Sequence, residues 1–233
     1  MKLHPAVSKL HKWLALIVGV QMMLWMLSGL FMTVFPIENV RGEHLIREAT
    51  RMQLEAPLVM PDFDGEPVTG LSLSMIGGRP ALVVAHPARR SIYDPYTGDP
   101  VPAPTRDDIV HLADAGYSGS AAIREVRLIE SDPPGEYRGA LPVWQVTFDG
   151  FDNLRLYFDP DTGELLTRRT RLWRIFDFMW MLHIMDYESR ENFNNPLVQV
   201  AAGLGLSVAL SGLLLVIYRT VKPWWRRRLR QAH

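Results

Sequence analysis

Trp13-Leu-Ala-Leu-Ile-Val-Gly-Val-Gln-Met-Met-Leu-Trp-Met-Leu-Ser-Gly-Leu-Phe-Met-Thr-Val-Phe35 contains no acidic or basic side chain, and between Lys12 and Arg41 the only one is Glu38. A hydrocarbon layer about 30 Å thick is crossed by about 20 helical residues, so this stretch is long enough to span it. A second uncharged run extends from Asn192 to Tyr218 and closes at Arg219. One such helix could be the core of a soluble protein. Two of them, each ending abruptly at basic residues, favour a bilayer. The first run exceeds the apolar region of a secretory signal, about 7–15 residues. Leu27-Ser28-Gly29 makes a poor cleavage site because Leu30-Phe31-Met32 continues the apolar run, so an uncleaved anchor is expected.

The overall balance of 25 basic and 25 acidic residues conceals a strong asymmetry. Lys2, Lys9 and Lys12 flank the first run; Arg219, Lys222, Arg226, Arg227, Arg228 and Arg230 follow the second, and neither flank has an acid. The middle carries the other 16 basic residues against all 25 acids, a net of −9. Short basic flanks stay on the cytoplasmic side and long acidic domains translocate. The expected arrangement has both termini in the cytoplasm of a bacterial inner membrane and a periplasmic domain between the spans. The absence of cysteine excludes disulfides, thiolate metal sites and covalent haem attachment.

Six segments follow: a cytoplasmic N-terminus (1–12), a first span (13–35), a periplasmic α+β domain (36–170), an interfacial amphipathic helix (171–190), a second span (196–218) and a basic cytoplasmic tail (219–233). Pro36 and Pro196 punctuate the outer ends of the spans. Trp13, Trp224 and Trp225 suit the inner interface. The Trp-Trp-Arg-rich tail (224–230) is read as an anchor to anionic lipid rather than a nucleic-acid site. Helix pairing is expected through Gln21, Ser28 and Gly29 on one span and Gly203, Ser207, Ser211 and Gly212 on the other. Gly19 is a further small residue on the first span, and small residues let helix backbones approach.

The middle contains an internal repeat. Ala81-Leu-Val-Val-Ala85 followed by Ser91-Ile-Tyr-Asp-Pro-Tyr-Thr-Gly-Asp99 returns in outline as Val143-Trp-Gln-Val-Thr-Phe148 followed by Leu154-Arg-Leu-Tyr-Phe-Asp-Pro-Asp-Thr-Gly-Glu164. Alternating apolar residues predict half-buried strands. Asp-Pro-x-Thr-Gly is turn chemistry, with proline presetting φ and glycine accepting a positive one. Thr105 with Asp107 and Asp108 predicts a capped helix start. The expectation is two small α+β units, each a strand meander with at most one helix.

These residues resemble the PepSY family joined to PepSY-associated transmembrane helices. The likeness rests on Leu10-His11-Lys12-Trp13-Leu14, Trp25, Ser28-Gly29, the two Asp-Pro-x-Thr-Gly turns, Trp144, the stretch from Leu172 to His183, and Ser211-Gly212. The resemblance implies an α+β module in the periplasm. Some larger relatives are implicated in ferric-siderophore reduction with b-type haem, and other PepSY modules in protease inhibition. Those larger relatives have more membrane helices and more histidines, so their ligand sets do not carry over wholesale.

His183 is the first candidate for chemistry, either an axial haem ligand or an interfacial histidine bonded to lipid, to Asp186 or to the folded domain. His11 at the inner mouth of the first span is either a ligand or a polar interface residue. On the expected topology the two lie on the order of 35 Å apart, from about 24 residues at ~1.5 Å each, so they cannot share an iron. His44 could complete a site with His183; otherwise a second subunit must. Pro5 interferes with a helix joining His4 to His11. Gln21 is expected to glue helices rather than carry protons or quinone. Arg168, Arg169 and Arg171 are expected to meet lipid phosphates or the acidic domain.

No metalloprotease, nucleophile-elbow, phosphate-loop or dinucleotide motif is present. Asp159-x-Asp161-x-Gly163-Glu164 resembles a calcium loop, but its glycine comes one place early and no distal glutamate follows, so a hairpin is expected. No catalytic residue or metal site is assigned. The leading expectation is a non-catalytic accessory or binding subunit of an envelope redox or iron-uptake system, with another membrane or periplasmic protein, or a second copy, as partner. A b-haem electron-transfer protein and a regulator of an envelope protease are the alternatives.

Overall fold

A computed structural model describes residues 3–47 and 56–221 and divides into two compact units, 36–175 and the remainder. Most of the basic tail, with Trp224 and Trp225, lies outside the described residues, as do Lys2 and the side chain of His4.

The folded unit opens with a short helix, α2 (Ile37–Val40), and a 3-10 turn (Glu43–Leu45). It then builds two four-stranded antiparallel meanders, one from β1 (Gly70–Ile76), β2 (Arg79–Ala85), β3 (Arg90–Tyr93) and β4 (Pro100–Val101). The other comes from β5 (Ile123–Ile129), β6 (Val143–Phe148), β7 (Arg155–Phe158) and β8 (Leu165–Arg169). The repeat is structural. Leu82 opposes Tyr93 as Trp144 opposes Phe158, one residue before each turn. The turns then match bond for bond. Asp94 Oδ1 accepts from the N–H groups of Tyr96 and Thr97, and Asp159 Oδ1 from those of Asp161 and Thr162. Gly98 and Gly163, at φ 76° and 71°, donate to the carbonyls of Asp94 and Asp159. The positive φ requires the glycine.

Helix α3 (Arg106–Gly116) sits between the repeats in sequence and covers one face of the second sheet, burying Ile109 and Ala113 completely against Val146, Phe148, Leu156 and Phe158. The i, i+4 spacing puts both on one face. Its start is a capping box: Thr105 accepts from the Asp108 N–H and Asp108 from the Thr105 N–H. These bonds to Thr105 hold the Asp108 carboxyl below its usual range. No equivalent helix stands by the first sheet among the described residues.

The opposite face of the second sheet is closed by the loop carrying Glu136 and Tyr137. Tyr137 stacks on Tyr157 at 4.7 Å. Glu136, buried, accepts from Tyr157 Oη at 2.7 Å, from Arg155 at 3.0 Å and from Arg174. Burial alone would raise its pKa; the Arg174 and Tyr157 bonds and the two guanidinium charges outweigh it and hold it below the usual carboxylate value. Burial and the facing Glu136 push the Tyr157 hydroxyl up. A carboxylate this far from water persists because it is paired and bonded.

Arg90 fastens the repeats together. Its guanidinium donates to Asp159 at 3.1 Å and Glu164 at 2.8 Å, and its backbone N–H to Asp161. The acids that resemble a calcium loop therefore belong to a hairpin turn neutralised by an arginine.

The helical unit comprises α1 (Leu3–Val34), α5 (Pro196–Val216, continued by a π turn to Val221) and the latter part of α4 (Arg171–Ile184), which begins in the folded unit. His11–Val34 and Pro196–Arg219 are long and apolar enough to cross a membrane. Helix α4 ends at Ile184, short of the interfacial segment 171–190 expected from sequence, because Met185 turns to φ 55°. Asn195 then starts α5, accepting from the Val198 N–H while donating to the Ile184 carbonyl. The α4–α5 connection is further tied by an Asp177–Arg190 ion pair and by Trp180 Nε1 donating to the Arg190 carbonyl.

Candidate functional site

The chemistry-bearing residues of the helical unit form two histidine seats of the same design. On α1, Ser28 is 1% exposed and its hydroxyl lies 2.7 Å from the carbonyl of Leu24. Having given its single proton there, Ser28 Oγ accepts from His183 Nδ1 at 3.1 Å. Gly29 completes the seat; a Cβ at that position would stand 3.4 Å from His183 Cε1. On α5, Ser211 donates to the carbonyl of Val208 at 2.9 Å and accepts from His11 Nδ1 at 2.7 Å. A Cβ on Gly212 would stand 3.3 Å from His11 Cε1. Each imidazole is thus held by a Ser-Gly pair on another helix. The tautomer that satisfies the hydroxyl leaves the lone pair on Nε2.

Seventeen residues of α1 separate His11 from Ser28, a rise of about 25 Å at ~1.5 Å per residue. That shortens the 35 Å expected from sequence, because His183 reaches back to Ser28 rather than sitting beyond the end of α1. It still forbids a shared iron. His44 belongs to the folded unit, where it is exposed in the 3-10 turn and its carbonyl accepts from Ser118 Oγ. Asp186 does not orient His183. The helix has ended, and the carboxylate instead accepts from Ser189 and from the N–H groups of Glu188, Glu191 and Asn192. The Ser189 bond and these N–H groups hold it well below the usual carboxylate range.

Of the expected packing residues, Ser28, Gly29, Ser211 and Gly212 receive the histidines, while Gly203 and Ser207 are exposed and bonded to each other. Gly205 takes the seam position instead, with Met22 Sδ 3.3 Å from where its Cβ would be. Gly19 has open space beside it. The amide Nε2 of Gln21 and the indole N–H of Trp25, one turn apart, are buried without an acceptor among the described residues. The seats escaped sequence reasoning, although the doubled Ser-Gly, one per span, was the signal that could have revealed them. Among the described residues no group of three or more His, Cys, Asp or Glu is placed to hold a metal ion.

Two apolar helices and a pair of α+β sheets define a membrane-anchored α+β protein. A family model described as the PepSY-associated TM region matches residues 8–233, and the chain belongs to that family. No curated protein matches the chain, and no solved structure matches it.

Proposed function

We propose that this chain is an accessory subunit of an envelope redox or iron-uptake system, held in a bacterial inner membrane with both termini in the cytoplasm and its sheets in the periplasm. The observation that carries the reading is the one-imidazole seat. Each presents a single imidazole fixed through Nδ1, with its Nε2 lone pair left over, and the two are too far apart to serve one centre. A seat of that kind would offer one ligand of a bis-histidine site, and a second chain would supply the other. The basic flanks support the orientation.

A b-haem electron-transfer role within a homodimer is the second reading, favoured by the tautomer. An Nδ1-anchored imidazole with an Nε2 lone pair is the form that ligates iron, and a hydroxyl on Nδ1 is a fitting outer partner. His183 and His11 would each offer one ligand, and the bound haem would supply one-electron transfer. The chain's own contribution would be to hold each ring in register through its Ser-Gly seat.

Affinity purification of the full chain from haem-replete membranes in mild detergent, with a reduced-minus-oxidised spectrum of the eluate, tests both readings. A stoichiometric membrane partner supports the first. A dimer with a b-type Soret band lost in His183→Ala supports the second. A colourless, folded monomer alone would overturn both.

A further inference from the structure

Beside the junction of β8 and α4 the folded unit contains a cavity of about 300 Å³ lined by Arg41, Thr167, Arg168, Arg169 and Trp173. Three separate observations make it a built feature. Arg168 Nε donates to the carbonyl of Arg41 at 2.8 Å, so the turn after α2 and the last strand are fastened where both arginines line the cavity. Arg169 lies over the Trp173 ring at 4.0 Å and donates to the Glu136 carbonyl, which anchors the third guanidinium. Glu43 approaches Arg41 at 3.9 Å and Arg168 at 3.7 Å, both longer than a hydrogen bond, and Arg41 remains 63% exposed. Arg41 and Arg168 sharing one loosely engaged carboxylate among the described residues stand out in a middle segment whose net charge is −9. Arg171 lies over Phe151 of the folded unit.

Connectivity narrows the ligand. Arg41 comes seven residues after the apolar helix ends at Val34, a reach of at most about 25 Å when extended and less here because α2 coils part of it. The cavity is therefore on a short tether from the headgroup layer. Guanidinium forks match phosphate oxygens in pairs, and an arginine-stacked tryptophan suits the boundary between water and lipid.

We infer that this cavity binds the phosphate of an anionic phospholipid headgroup, seating the folded unit against the membrane surface. The inference stands apart from the histidine seats and needs neither haem nor a partner chain.

Native mass spectrometry of the detergent-purified full chain tests it, with phosphatidylglycerol as probe, diacylglycerol of the same chains as phosphate-free control and inorganic phosphate as competitor. Phosphatidylglycerol binding should fall on the order of tenfold in the Arg41→Gln/Arg168→Gln double variant, the loss expected for one charge-assisted hydrogen bond, and stay unchanged in Arg124→Gln. Arg41→Gln alone should show a smaller loss. Among the described residues this exposed side chain makes only the long Glu43 contact, so the single variant decides the matter if the double variant fails to fold. Displacement of the lipid by inorganic phosphate supports phosphate recognition. Arginine-dependent binding of inorganic phosphate without binding of phosphatidylglycerol supports the anion site and assigns it to a soluble phosphate. Phosphatidylglycerol binding no tighter than diacylglycerol, or unaffected by Arg41→Gln and the double variant, overturns the proposal.

Discussion

Ser28 and His183 are 155 positions apart in sequence and meet at 3.1 Å, and Ser211 with His11, 200 positions apart, repeats the contact at 2.7 Å with the roles of the helices exchanged. In both cases the hydroxyl spends its proton on its own helix backbone and receives one from the imidazole. The glycine beside each serine is what allows the ring to lie so close.

Gly29→Val and Gly212→Val should each destabilise the full chain, by about 1–3 kcal/mol, the usual cost of overpacking. Their added branches would extend beyond Cβ positions already 3.4 and 3.3 Å from the imidazole carbons. Gly203→Val, in open space, should change thermal unfolding in detergent little. Equal effects at all three positions would argue against the seats.

The Glu136 cluster makes stability depend on pH. Its folded pKa is lowered relative to the unfolded chain, so its contribution is complete above the unfolded carboxylate value. That contribution is lost as pH falls through the lower folded value. Glu136→Gln should flatten acid unfolding in that window. Arg174→Met, leaving the carboxylate buried beside one guanidinium fewer, should cost about 3–5 kcal/mol at neutral pH. Tyr157→Phe should cost about 1–3 kcal/mol. Chemical denaturation followed by tryptophan fluorescence reads all three.

Arg90 and Glu164 are each about a third exposed, so their ion pair is partly screened by water. A double-mutant cycle on Arg90→Ala and Glu164→Gln should return a coupling of about 0.5–1 kcal/mol that shrinks at high salt. Calcium should not stabilise the wild-type chain. A calcium-dependent rise in its unfolding temperature would contradict the arginine-neutralised hairpin.

Asp186→Ala should speed hydrogen exchange at Glu188, Ser189, Glu191 and Asn192, whose N–H groups its carboxylate accepts. The lowered carboxyl pKa places the matching wild-type change at acid pH. Protection should persist through the usual carboxylate range and be lost only below it. Exchange unchanged in Asp186→Ala would show that the α4–α5 connection is held by Asn195 and Arg190 alone.

Local features of the sequence carry local structure. The spans are legible because a run without charge is long enough to span a bilayer whatever surrounds it. The two Asp-Pro-x-Thr-Gly turns and the Thr105–Asp108 cap are legible because every bond they make falls within a few residues. The membrane-anchored α+β class, the repeat and the family resemblance all follow from such features. Tertiary structure decided what depends on helix rotation and long-range meeting. Gly203 and Gly205 are indistinguishable in composition, yet only Gly205 meets Met22, because two residues turn a helix by about 200°. Glu136 sits in a Pro-Pro-Gly-Glu loop that reads as exposed, and it is buried only because Arg155, Tyr157 and Arg174 converge on it from other elements. The histidines were visible as candidates from the start. Ser28 and Ser211 were visible only as helix-packing residues, since a hydroxyl bonded to its own helix gives no sign in one dimension of the ring that will come to rest on it.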